Sequence, residues 1–156
     1  MGDINWKDKC WVTTVFLVRN DEKVLLLWNK TLQAWIPVGG HIDPGETPDE
    51  AVKREVSEET GFDFEFLPLP HMETNSTVKV VKPFRFQIED MPHHNKHMNF
   101  VFIGKCINFS EEKQETDEQE KLRWFSESEL NDNNNIFLEN VRNTSLDAIK
   151  MFRENK

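Results

Sequence analysis

The stretch that decides the fold runs from Gly39 to Phe62 and reads GGHIDPGETPDEAVKREVSEETGF. It opens with a glycine-rich turn and continues through residues 47–60 without a glycine, and the one proline of that segment lies in a first-turn position. We therefore predict a helix over 47–60, with Thr47 as its N-cap and Gly61 as the residue that ends it.

Strands are predicted on both sides of that helix, which is typical of a mixed α/β domain. The predicted strands are 10–18, 24–28, 63–67, 78–88, 98–107 and 122–125, and 35–38 is predicted to be a short extended piece that runs into the two glycines. A short helical turn is predicted over 127–130 and an amphipathic terminal helix over 136–152. Internal repeats are absent from the sequence, and residues 1–156 are expected to form a single domain.

The composition limits the classes of function. Hydrophobic residues make up 37% of the 156 residues and include 12 Phe and 5 Trp, enough to build a core. The formal net charge of −9 repels a phosphate backbone, so general nucleic-acid binding is disfavoured. A small anionic substrate held through a bridging cation remains compatible with that charge.

Two features bear on the compartment. The sequence contains no apolar run of membrane-spanning length, and its first nine residues lack the apolar stretch of a signal peptide. Cys10 and Cys106 are far apart and show no metal-ligand spacing, so we expect reduced thiols. A cytoplasmic protein without a membrane partner is the expectation.

Three glutamates fall on one side of the predicted helix. At about 100° per residue, Glu55, Glu58 and Glu59 occupy an arc of about 100°, beside the apolar stripe of Val52 and Val56. Like charges so close together are unfavourable unless a hard divalent cation neutralises them, and Mg²⁺ prefers carboxylate oxygens. The alternative is an ordinary solvated acidic face.

The spacing of these residues resembles a known signature. Gly40, Glu46 and the run 54–62, REVSEETGF, meet every fixed position of the Nudix box of the Nudix hydrolase (MutT-like) superfamily. The lead-in 35–40 is similar to that of the family, with Val38 as an extra residue, and 122–125 resembles the family's later strand.

This resemblance implies an α/β/α sandwich around a mixed β-sheet and the Mg²⁺- or Mn²⁺-dependent hydrolysis of a nucleoside diphosphate linked to a moiety X. It assigns metal-ligand roles by position to Glu55, Glu58, Glu59 and the Gly40 carbonyl. Arg54 would orient the glutamates, and Glu46 and Gly61 would support the loop–helix geometry.

The general base is not the same residue across the family, and Glu59 is our first choice, ahead of Glu58. An accessory acid of some members, a further metal ligand, is expected at Glu118, with Glu120 as its substitute. An ordinary charged surface loop is the alternative interpretation of that segment.

The substrate is inferred from missing marks. The proline typical of the ADP-ribose class is absent from residues 76–79, the chain contains no Tyr to mark a diadenosine polyphosphate enzyme, and NADH- and coenzyme-A-type motifs are also missing. A (deoxy)nucleoside triphosphate, cleaved to a monophosphate and pyrophosphate, is therefore favoured. Nucleotide sugars, ADP-ribose, dinucleotides and a non-catalytic nucleotide-binding module remain alternatives, and a homodimer is possible.

Substrate contacts are predicted at Trp35, His97 and Trp124. Trp28, Phe84 and Phe86 are further aromatic residues that could stack on a base, although all five aromatic side chains could equally belong to the core. His93, His94 and His97 crowd one segment, for which we weigh zinc binding, substrate contact and a plain loop.

Overall fold

The computed structural model describes residues 10–67, 79–91, 96–110 and 122–156. Within these ranges the strands are β1 (Cys10–Val18), β2 (Val24–Asn29), β3 (Ala34–Ile36), β4 (Val38–His41), β5 (Phe64–Phe66), β6 (Arg85–Glu89), β7 (His97–Cys106) and β8 (Leu122–Phe125). The helices are α1 (Pro48–Thr60), α2 (Glu127–Leu130) and α3 (Glu139–Glu154). Among the described residues, none of the helices has both the length and the apolar character needed to cross a bilayer.

All of these strands join one mixed sheet, in which β1 lies between β7 and the pair β4 and β2. β1 runs parallel to β7 along its whole length, from the pair Cys10↔His97 to the pair Val18↔Lys105. It pairs antiparallel with β4 and, at its end, with the start of β2. β3 and β8 pair with β2, and β5 and β6 pair with β7. The predicted mixed α/β fold is confirmed.

Helices pack against both faces of the sheet because neighbouring side chains of β1 point in opposite directions. Val18 belongs to the core cluster that contains Ile149 and Phe152 of α3. Leu17 belongs to the cluster that contains Val52 of α1. The result is the sandwich that the resemblance implies, and the apolar face of α3 packs in the core.

Helix α1 has the ends that the sequence predicts. Thr47 has extended backbone, and its N–H donates to Oε2 of Glu50 at 3.0 Å. Gly61 adopts the left-handed conformation, with φ of 68°, and its N–H donates to the Ser57 carbonyl at 3.0 Å. Local residues therefore define where this helix begins and ends.

The extended piece predicted over 35–38 belongs to two strands rather than to one. Ala34–Ile36 pairs with β2, whereas Val38–His41 pairs with β1 and continues through both glycines. Pro37 separates them, and it has no backbone N–H with which to continue a ladder. The glycine-rich turn is thus partly a strand.

Two other predicted elements are shorter than expected. The strand predicted over 78–88 forms only at Arg85–Glu89, after Pro83, and residue 78 lies outside the described residues. The terminal helix begins at Glu139 rather than at 136, because Phe137 forms a β-bridge with Trp35.

Candidate active site

The glycine-rich turn brings β4 against α1. Thr13 of β1 is buried, and its Oγ1 donates to the Pro48 carbonyl at 3.0 Å, which ties the start of α1 to the sheet. Gly40 lies against Glu55, so closely that a Cβ on Gly40 would clash with the carboxylate. Gly39 is equally crowded, because its Cβ would clash with the Thr13 backbone. Gly39 is therefore required by lack of space, because the clash is with backbone, whereas a side chain at Gly40 would have to displace the flexible end of Glu55.

The guanidinium of Arg54 binds acidic side chains of α1 and of the loop that precedes it. Its Nε and Nη2 donate to the two oxygens of Glu46 at 2.7 and 3.0 Å, and Nη2 also donates to the His41 carbonyl at 3.0 Å. Its Nη1 donates to Glu55 at 2.9 Å and to Glu58 at 3.4 Å. The bonds to Glu46 raise the pKa of Arg54 and lower the pKa of Glu46, so both side chains stay charged.

Glu59 lies on the sheet side of the helix. Its Oε2 accepts a hydrogen bond from the Gly39 N–H at 3.4 Å. Burial raises the pKa of Glu59 to about 7, and the negative charges of Glu55 and Glu58 act in the same direction. A cation placed beside Glu59 would relieve both effects.

The site as a whole contains more negatively than positively charged side chains. Arg54 faces four carboxylates, those of Glu46, Glu55, Glu58 and, at 3.5 Å, Asp43. The side chain of Glu58 is 60% exposed, as expected of a solvated face, but that of Glu55 is only 14% exposed. The carboxylates therefore reach from the protein interior to solvent, and their oxygen atoms suit Mg²⁺ or Mn²⁺.

A cavity of about 740 Å³ opens on the other side of the two glycines. Part of its wall is formed by Gly39, Gly40 and His41. Residues of β1, β6 and β7 form its floor, and the start of α3 lines the opposite side. Its volume falls in the range of small-molecule sites, roughly 300–1,000 Å³. A ligand in the cavity would lie beside the strand against which Glu55 and Glu59 pack.

The cavity contains a polar network that the sequence did not lead us to predict. Asn99 is 2% exposed, and its Nδ2 donates to Oε1 of Glu89 at 2.9 Å, which also accepts from Gln87. The Oγ1 of Thr14 donates to Oδ1 of Asn99 at 3.2 Å. Polar residues at alternate positions of β6 and β7 were the signal that could have indicated this wall.

The predicted substrate contacts separate into two groups. His97 lines the cavity. Trp124 is instead 7% exposed and packs between Phe62 and Phe109. Trp35 is partly buried and packs edge-on against Trp28 and against Phe125, which belongs to the other core cluster. Neither Trp is among the residues that line the cavity, and contact of these two rings with substrate stays a prediction.

The other candidate residues either pack against protein or lie outside the described ranges. Phe84 packs against the α3 core cluster, and Phe86 packs against Phe100, so these rings also contact protein. Glu118, Glu120, His93 and His94 lie outside the described residues.

Comparison with known proteins shows the family. A family model of the NUDIX domain matches residues 9–144. The chain therefore belongs to the Nudix hydrolase family, whose enzymes generally use a divalent metal.

Individual relatives agree with this assignment. A Clostridium perfringens hydrolase of the NUDIX family has a similar crystal structure, with a TM-score of 0.75, 25% identity, and coverage of 91% of this chain and 97% of that chain. A putative 8-oxo-dGTP diphosphatase of Bacillus subtilis (strain 168) is 40% identical over 48 residues, which are 31% of this chain and 32% of the relative. An asymmetrical bis(5'-nucleosyl)-tetraphosphatase of Mus musculus is 24% identical over 103 residues, 66% of this chain and 63% of the relative. The chain thus spans less than two thirds of the length of these two curated relatives.

Proposed function

We propose that this chain is a divalent-metal-dependent pyrophosphohydrolase whose substrate is a (deoxy)nucleoside triphosphate. The products would be a nucleoside monophosphate and pyrophosphate. The observation that carries the proposal is the position of the two glycines, which separate a cluster of carboxylates from a cavity of small-molecule size. The phosphates of a nucleotide in that cavity could approach the carboxylates across Gly39 and Gly40.

The carboxylates supply the oxygen atoms for a cation. Glu55, Glu58 and Glu59 would hold Mg²⁺ or Mn²⁺, together with the carbonyl of Gly40. Bound there, the ion supplies neutralisation of the phosphate charge and activation of water. Arg54 keeps Glu55 and Glu58 in place and, through Glu46, holds the loop that leads into α1.

Glu59 is the proposed general base. Its carboxylate bonds to Gly39, which lines the cavity, whereas Glu58 is mostly exposed and bonds to Arg54. Glu59 is thus the better placed of the two to take a proton from water that attacks a phosphate in the cavity.

The nucleoside triphosphate is favoured over the alternatives by two observations. The chain lacks the sequence marks of the ADP-ribose, dinucleotide, NADH and coenzyme-A classes. One relative is named a putative 8-oxo-dGTP diphosphatase, and it is 40% identical over its 48 aligned residues.

A substrate panel tests the proposal. Nucleoside and deoxynucleoside triphosphates, 8-oxo-dGTP, ADP-ribose, a nucleotide sugar and a diadenosine polyphosphate would each be incubated with the protein and Mg²⁺. We expect pyrophosphate release from at least one triphosphate and none when Mg²⁺ is removed with a chelator. Phosphate is measured after a phosphatase is added, and the nucleotide products are separated by chromatography. Together the two assays identify the leaving group.

The matched control is the double variant Glu58→Ala/Glu59→Ala. We expect it to fold, because Glu58 is exposed and neither residue belongs to the apolar core, and to lose hydrolysis of every substrate. If the protein hydrolysed only a nucleotide sugar or only a dinucleotide, that compound would define the substrate class in place of the triphosphates. Binding of nucleotides with no hydrolysis would establish the non-catalytic module instead.

Three further expectations accompany this proposal. The protein would be cytoplasmic, residues 1–156 would form one domain, and Glu118 would assist metal binding. A homodimer would have to use a surface other than the apolar face of α3, because that face packs in the core. Light scattering of the purified protein measures the oligomeric state.

A further inference from the structure

The strand register brings three metal-ligating side chains to one end of the sheet. Cys10 of β1 pairs with His97 of β7, and Val12 of β1 pairs with His41 of β4. Paired residues of neighbouring strands point to the same face, as do residues two apart in one strand. Cys10, His41 and His97 therefore share the face of β1 on which Val12 lines the cavity.

Their side chains converge on that face. One potential ligand atom from each of the three residues lies within 4.8 Å of the other two. The two imidazole rings are 5.8 Å apart between centroids and nearly perpendicular, at 77°. Cys10 is a free thiol and half-buried, and His41 is exposed, so an ion can reach the cluster.

The chemistry of these donors differs from that of the acidic site. One thiolate and two imidazoles are soft to borderline ligands, which select zinc rather than magnesium. Zn–S and Zn–N bonds of about 2.3 and 2.0–2.1 Å require ligand atoms roughly 3.5 Å apart, which modest side-chain rotation from the present spacing would provide. Rotation of the exposed His41 alone would shorten two of the three separations.

We propose that Cys10, His41 and His97 form a zinc site, separate from the carboxylate cluster, at the edge of the cavity. Three protein ligands leave the fourth position of a tetrahedral ion for water or a ligand atom. Because His41 and His97 also line the cavity, an ion here would join β4, β1 and β7 at the wall where a substrate would bind. This site does not depend on the proposed hydrolysis.

Cobalt provides a direct test, because a Co²⁺ ion bound to thiolate has a charge-transfer absorption band that oxygen ligands do not produce. The reduced protein would be titrated with Co²⁺ in a large excess of Mg²⁺ and a thiol-free reductant, and then with Zn²⁺ to displace it. We expect one equivalent of Co²⁺ to produce the band and one equivalent of Zn²⁺ to remove it. The double variant Glu58→Ala/Glu59→Ala should behave like the wild type, which separates this site from the acidic one.

Variants of each ligand identify the site. Cys10→Ser should abolish the band, and His41→Asn and His97→Asn should each weaken Zn²⁺ binding by about 100-fold or more, since the loss of even a second-layer partner typically weakens binding by about 10–100-fold. Cys106→Ala is the matched cysteine control and should bind as the wild type does. Circular dichroism verifies that each variant is folded.

Alkylation gives an independent result. Zn²⁺ should protect Cys10 from iodoacetamide, as measured by peptide mass spectrometry, and should leave the modification of Cys106 unchanged. A wild-type protein without a thiolate band, a band that persists in Cys10→Ser, or unaltered alkylation of Cys10 with Zn²⁺ would each overturn the site.

Discussion

Two clusters in this molecule are built around an arginine, and they differ in charge balance. Arg54 bonds to Glu46, Glu55 and Glu58, and Glu59 lies next to them, so several glutamates share one arginine. At the far end of α3, Arg153 bonds to Glu22 and Glu127 at 2.9 Å each, and Lys156 also bonds to Glu22 at 2.9 Å. The second cluster contains two acids and two bases, whereas the first contains a surplus of acids.

Burial separates the two clusters further. The side chain of Arg153 is 48% exposed, whereas that of Arg54 is 27% exposed and that of Glu55 only 14%. Exposed ion pairs contribute about 0–1 kcal/mol to stability and are screened by salt. The balanced, exposed cluster is neutralised by its own side chains, whereas the partly buried surplus of carboxylates would be stabilised by a cation if one bound there. The same arginine–glutamate bond thus makes a surface contact in one place and holds a partly buried group of carboxylates in the other.

Among substitutions in the two clusters, replacement of Glu59 is expected to have the largest effect on activity. Glu59→Gln should lower kcat by at least about 100-fold, because a positioned base contributes about 10²–10⁴-fold. The measurement is pyrophosphate release at saturating substrate and Mg²⁺. Glu127→Gln, which removes a carboxylate from the balanced cluster, should leave kcat within about twofold of the wild type. Near-normal turnover of Glu59→Gln would exclude Glu59 as base and as essential ligand.

The two arginines should differ next. Arg54→Lys should lower kcat/KM by about 10–100-fold, the usual effect of losing a group that orients metal ligands. Lysine keeps the charge but cannot reach Glu46 and Glu55 at once with a planar fork. Arg153→Lys is the control and should retain full activity. Equal effects of the two substitutions would show that charge alone matters at Arg54.

Two glycines of the box separate function from stability. Gly40→Ala should weaken the apparent Mg²⁺ affinity by about tenfold or more, because its Cβ would displace the Glu55 carboxylate. Gly61→Ala should instead lower the free energy of unfolding by about 1–2 kcal/mol, the cost of a left-handed residue with a side chain. Mg²⁺ titrations of activity and urea unfolding measure the two effects. A Gly40→Ala protein with normal Mg²⁺ dependence would remove Glu55 from the ligand set.

The smallest expected effect concerns the pH dependence of stability. Hydrogen bonds from Arg153 and Lys156 lower the pKa of Glu22 below its usual value of 4.5. A carboxyl with a lowered native pKa stabilises the fold above the unfolded pKa, and that contribution is lost as the pH falls. Glu22→Gln should therefore lower the urea midpoint slightly at pH 7. The difference between this variant and the wild type should become smaller as the pH falls below about 4.5.

A matched carboxylate controls for general effects of charge. Glu154→Gln, at the same end of α3, should show a smaller dependence than Glu22→Gln. Identical pH profiles for the two variants would mean that the contacts of Glu22 do not contribute to stability.

Much of the acidic site could be predicted because it depends on short-range geometry. One helix carries Arg54, Glu55, Glu58 and Glu59 at fixed angles, and the residues at its ends define its length. The hairpin of β1 and β2 and the terminal helix were predictable for the same reason. The errors occur where the partner is remote: Pro37 divides two strands that pair with different neighbours, and Phe137 bridges to Trp35 and delays α3.

The sequence by itself determined the helix, its caps and the side on which its glutamates lie, because bonds between residues three and four apart define those features. Only the tertiary structure decided which polar residues form the cavity, that Trp124 packs in the core and Trp35 against it, and that Cys10 meets His41 and His97. These neighbours come from separate strands. Their proximity depends on sheet pairing and register, which the spacing of residues along the chain does not specify.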